Sequence, residues 1–158
     1  MRAGLYGGLV GGVSIWAYEA VVWVGVQNLM PLAGIPRNAV GLVFGPAVQT
    51  ELGAWAYLLG TAIHFAFALG WGLLFAWLWP QARRRGVEAT LLALPFAALA
   101  WLVMHLAIAL VSTSHPDYLD PIVVIGGVMS HLFYSVPLAL VVRRMTAFDV
   151  ATLKTANT

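Results

Sequence analysis

The sequence predicts an all-α, polytopic membrane protein, a bundle of four transmembrane helices with both termini in the cytoplasm. Three observations carry that prediction. Of the 158 residues, 61% are apolar and only 9% charged, against about 25% charged in soluble domains. Four apolar runs each exceed the roughly 20 residues that span about 30 Å of hydrocarbon. The cationic residues gather at alternate ends of those runs, as the positive-inside rule requires. Because lipid offers an unpaired backbone no hydrogen bonds, the runs are expected to be helices rather than strands.

The first helix is predicted at about 4–29 and carries Glu19 in its midst. A secretory signal is the competing reading of Met1-Arg2 and the apolar stretch behind it. The run is too long for one, Glu19 interrupts it, and no small-x-small cleavage site follows. An outward loop comes next, punctuated by Pro31, Gly34, Pro36, Gly45 and Pro46, with a weakly apolar stretch that reads as a short interfacial helix at about 37–45. The second helix is placed at about 52–79 and the third at about 88–111, joined by a loop holding Arg83, Arg84 and Arg85. A second outward loop carries His115, Asp117 and Asp120. The first two read as loop capping. Asp120 before Pro121 reads as an N-cap with proline at the first helical position, which starts the fourth helix at about 121–143. Residues 1–144 thus form the membrane domain, and 145–158 a loosely ordered cytoplasmic tail. Trp23, Trp55 and Tyr57 on one side, with Trp77 and Trp79 on the other, suit interfacial belts. Pro95 and Pro137 are expected to kink the third and fourth helices.

The second and fourth helices share a pattern. Gly60, His64 and Phe67 match Gly127, His131 and Tyr134 in spacing, which suggests two related helical hairpins in parallel orientation.

Four ionisable residues fall within the predicted spans: Glu19, His64, His105 and His131. Counting about 1.5 Å per residue from the arginine-marked ends puts Glu19 and His64 at one depth. His105 then lies a turn nearer the outside and His131 a turn nearer the middle. A charged carboxylate at such a depth costs about 2.5 kcal/mol or more, so these groups are expected to face the bundle interior. Small residues support that direction by letting backbones approach. Gly4, Gly8, Gly12, Ile15 and Glu19 share one helical face. Gly60 aligns with His64 and Ala68, Ala98 with Trp101, His105 and Ala109, and Gly127 with His131 and Ser135.

Three uses of such a polar site stay open on the residues alone. In the first, the histidines are simply satisfied across helices, with Tyr18, Thr61, Ser130, Tyr134 and Ser135 as partners. They are also the residue types that ligate a haem b iron or, with Glu19, a divalent metal; His64 and His105 come nearest to an axial pair. The third use is proton handling: burial penalises charge on carboxylate and imidazole alike, so Glu19 beside His64 would be poised for exchange.

Other functional classes are set aside by composition. With no cysteine there is no disulfide framework, thiolate metal site or covalent haem attachment. The net charge of +2 comes from arginines at helix ends and reports topology, so no nucleic-acid partner is expected. Phosphate loops, nucleophile elbows and glycosidase-like carboxylate pairs are absent, and no catalytic residue is assigned. The expected partners are the lipid bilayer, further copies of the chain, or a larger membrane complex in which it packs as an accessory subunit.

The residues also resemble a known family, the YagU-like inner-membrane proteins of bacteria. The likeness rests on Gly-Leu-Val-Gly-Gly-Val-Ser at 8–14 with Glu19, on Ile63-His64-Phe65 through Trp79-Pro80, on Leu102-Val103-Met104-His105, and on His131-Leu132-Phe133 down to Arg143-Arg144. The third-helix histidine is displaced by one residue from the family position, a rotation of about 100 degrees. The resemblance implies a multi-pass protein of the bacterial inner membrane and a contribution to surviving acid. It supplies no catalytic residue.

Overall fold

The computed structural model describes residues 1–111 and 119–156. His115 and Asp117, predicted to cap the second outward loop, lie outside them. The described chain is helical, with no strand. Helix α1 (Arg2–Glu19) continues as a π-helix (Ala20–Val26), followed by α2 (Gly34–Phe44), α3 (Pro46–Glu51), α4 (Trp55–Arg84), α5 (Ala89–Val111) and α6 (Pro121–Ala156). Four of these, α1 with its π extension, α4, α5 and α6, are long and apolar enough to cross a membrane.

Glycine decides how the bundle closes. Helix α1 lies between α4 and α6 and runs antiparallel to both. Its Gly4, Gly8 and Gly12 face Gly72, Ala68 and Phe65 of α4, while Gly7 and Gly11 face Leu138 and Tyr134 of α6. A β-carbon at Gly8 would stand 2.6 Å from the Ala68 carbonyl oxygen, and one at Gly11 2.7 Å from that of Tyr134. Only hydrogen fits there, so one short helix can seat against two neighbours. Helix α5 packs chiefly on α6 and meets α4 along a thin seam. Phe75, Trp79, Phe96, Leu138 and Val142 fill the end of the bundle that holds the arginines.

Helix ends follow local chemistry. The Asp120 carboxylate accepts the Ile122 N–H at 2.8 Å, which is the cap expected before Pro121. Gly86, at φ 76°, closes α4 in a Schellman turn: its own N–H reaches the Arg83 carbonyl at 3.0 Å, and that of Val87 reaches Ala82 at 3.1 Å.

Several expectations need correction. Pro80 does not end α4, which runs on to Arg84, and α6 continues to Ala156 where a loose tail was expected from residue 145. Trp79 is not a lipid-facing belt residue: it is 4% exposed, with its indole N–H 3.4 Å from the Thr146 hydroxyl. The segment read as a short helix at about 37–45 is helical within α2 and packs against α4. Pro36 seats its carbonyl against Gly60, and Leu42 and Val43 lie beside Phe67 and Met104, well inside the length of α4 and α5. After the turn at Gly45, α3 returns alongside α2, and the Arg37 guanidinium reaches the Gln49 carbonyl at 3.4 Å.

These contacts bring Arg2, Arg83–Arg85 and Arg143–Arg144 to one end of the bundle. There Arg143 and Glu88 form an ion pair at 3.6 Å. Both side chains are well exposed, so the pair contributes little to stability.

Candidate functional site: a file of histidines

Three of the four ionisable residues converge, and the fourth stands apart. The imidazoles of His105 (α5) and His131 (α6) meet edge to face with centroids 5.9 Å apart. His131 and His64 (α4) then face a common cavity of about 70 Å³, walled by Ile15, Ala68, Trp71, Ala100, Met104 and Tyr134 among others. The rings thus form a file crossing from α5 through α6 to α4. Each is half-buried.

The hydrogen bonds fix what each ring can do. His64 Nε2–H donates to the Gly12 carbonyl at 3.0 Å, a contact possible because Gly12 brings the α1 backbone up to α4. His131 Nδ1–H donates to the Gly127 carbonyl at 2.8 Å, one turn back on its own helix, with Ser130 Oγ at 3.2 Å. His105 Nδ1–H does the same to Trp101 at 2.9 Å. A carbonyl can only accept, so in each neutral ring the bonded nitrogen carries the proton and the opposite one keeps its lone pair. At His64 and His131 the site therefore presents basic nitrogens.

Aromatic rings and unmet donors surround the file. Trp16 stacks on His64 at 4.9 Å, and Trp101 lies on His105 at 5.0 Å. The Nε1 atoms of Trp16 and Trp101, together with Ser135 Oγ, are buried with no hydrogen-bond partner among the described residues. Buried donors of this kind are ordinarily met by water. The Tyr134 hydroxyl donates to the Ala68 carbonyl and closes the inner end of the cavity.

Glu19 does not join them. His64 is level with Gly12 and Trp16, about one turn inward of Glu19 rather than at its depth. The carboxylate is half-buried, and makes no ion pair or hydrogen bond among the described residues. Nor is His64 the ring nearest His105. The α5 face differs too: Ala98 and Ala109 are exposed, and the packed face is Ala93, Ala97 and Ala100, which leaves Trp101 and His105 at its edge.

The proposed repeat holds in direction and fails in environment. Helices α4 and α6 run parallel on two sides of α1, yet Gly60 packs on Pro36 and Gly127 on the Trp101 indole. Phe67 is 38% exposed, whereas its counterpart Tyr134 is 4% exposed. Sequence reasoning missed Gly7, Gly11 and Trp16. Glycine doublets at 7–8 and 11–12 were the available signal, since adjacent positions on a helix serve two faces.

The fold and site together define a protein of four membrane-crossing-length helices with half-buried imidazoles between them. No family model, no curated protein and no solved structure matches the chain.

Proposed function

We propose that the chain is a multi-pass protein of the bacterial inner membrane that takes up and releases protons on its histidine file, in transport or in response to acid. The supporting observation is that all three rings spend an N–H on a backbone carbonyl, and that two of them, His64 and His131, keep a basic nitrogen beside one small cavity. That volume suits a few waters, each needing roughly 30 Å³. An imidazole beside water is the side chain best suited to exchange a proton near neutral pH. In this reading the arginine-rich end and both termini are cytoplasmic, by the positive-inside rule. The motifs around His64, His105 and His131 and the intramembrane location accord with a place among the YagU-like proteins.

Ring N–H groups held by carbonyls are also what metal-ligating histidines show. Among the described residues, however, no three His, Asp or Glu side chains gather as a metal would need. A haem demands far more room than about 70 Å³. The donor set and the space favour the proton over either cofactor.

Nitrogen-15 spectra of histidine-labelled protein in detergent test the proposal. On acidification from about pH 8 to about pH 3, the rings of His64, His105 and His131 take up protons, and His131→Gln alters the titration of its neighbour His105. Three rings that stay neutral throughout overturn it.

A further inference from the structure

We infer that the histidine file is a half-channel, open to protons only from the end of the bundle where α5 approaches α6. The inference rests on the proton-binding reading and adds its sidedness. At that end, a second cavity of about 190 Å³ is lined by Trp23, Gln27, His105, Asp120, Gly126 and Gly127, together with apolar residues. The π-helix following Glu19 sets Trp23 against Gly126 in the wall of this vestibule. His105 lines the vestibule, His131 lines the inner cavity, and their rings touch. A proton arriving beside Asp120 therefore has an imidazole at each stage as far as His64.

Beyond His64 and Tyr134 no such stage exists among the described residues. The Tyr134 proton is committed to the Ala68 carbonyl. Further on, backbone meets backbone at Gly8 with Ala68 and at Gly4 with Gly72, and Phe75, Leu138 and Val142 are wholly buried. The sideways exit is apolar as well. Phe67, Trp71 and Met104 separate the inner cavity from a groove of about 510 Å³ lined only by apolar side chains and Gly70.

Among the described residues, the groups facing the three rings fit a path with one mouth. Helix α1 presents the Gly12 carbonyl and Trp16, α4 presents Phe65 and Phe67, α5 presents Trp101 and Met104, and α6 presents Ser130 and Tyr134. Among the described residues, the one charged side chain lining the path is Asp120, at the vestibule; Glu19 lies a turn outward of Trp16. Such a geometry registers the acidity of one compartment and conducts nothing through while the bundle keeps this arrangement.

The stacked indoles report the event, since an imidazolium quenches indole fluorescence more strongly than a neutral imidazole. The chain has no cysteine, so Gly126→Cys introduces a single thiol, whose β-carbon meets Trp23 at an ordinary 3.5 Å. In oriented proteoliposomes, a pH jump on the vestibule side is expected to quench Trp16 and Trp101 emission rapidly. The same jump on the arginine side quenches only as the lumen leaks. Reaction of Gly126→Cys with a bulky, membrane-impermeant thiol reagent slows the vestibule-side quench roughly tenfold or more, equivalent to about 1.4 kcal/mol on the barrier. Equal rates from both sides, or a rate indifferent to the blocking group, overturn the half-channel while leaving proton binding intact. Absence of quenching even when an ionophore equalises both sides overturns both.

Discussion

At the level of single residues, the fold depends on atoms that are missing. A β-carbon at Gly11 would sit 2.7 Å from the Tyr134 carbonyl oxygen and 2.7 Å from its ring, and neither the backbone nor a ring 4% exposed can withdraw. Overpacking of this kind costs about 1–3 kcal/mol. Gly11→Ala is therefore expected to lower the unfolding midpoint in a detergent denaturation series, and Gly70→Ala, which meets nothing within 4 Å, to leave it unchanged. Equal effects would show that the α1–α6 contact is looser than described. The Gly4-Gly8-Gly12 face was legible from spacing alone, because a repeat of four marks one side of a helix. That Gly7 and Gly11 build a second seam was not, since sequence does not say how many neighbours a helix has. The grouping of His105 with His131 escaped for a related reason. Depth can be counted along a helix, but the angle at which two helices face each other is set by packing.

Among the elements, the long apolar helices were readable and the seat of the short α2–α3 pair against α4 was not. Sixty-one per cent apolar composition and arginine-marked ends fix four long helices, whereas an 11-residue apolar helix such as α2 fits either an interfacial or a re-entrant course. The seating contact is between α2 and α4: the Pro36 carbonyl occupies the space a side chain at Gly60 would need. Val43, 42% exposed, then faces away from water if the groove beside it faces lipid. A cysteine at Val43 is expected to resist water-soluble thiol reagents in membranes, and the added change Gly60→Leu to expose it by displacing α2. Ready labelling of Val43→Cys in otherwise unaltered protein would put α2 back on the surface. The π-helix after Glu19 had no sequence signal, yet it sets the direction of Trp23 and hence the vestibule.

Across the whole molecule, packing is uneven, and the unevenness sets the chemistry. Helix α1 binds α4 and α6 through glycine seams, while α4 and α5 barely meet, so the bundle is tight on one side and grooved on the other. Only Phe67, Trp71 and Met104 stand between that apolar groove and the cavity shared by His64 and His131. Met104 is the flexible member of the three and the one contributed by α5. Shortening it in Met104→Ala joins the two spaces, and an acyl chain entering from the bilayer displaces water from beside His64. Without water the charged imidazole is strongly disfavoured. His105, reached through its own vestibule, keeps its solvent. The variant is therefore expected to lose the acid-induced quenching of Trp16 while retaining that of Trp101, each followed with the other indole replaced by phenylalanine. Were both responses to survive unchanged, the aromatic and thioether side chains would not be the barrier that keeps lipid from the histidines, and the inner cavity would owe its water to some other wall.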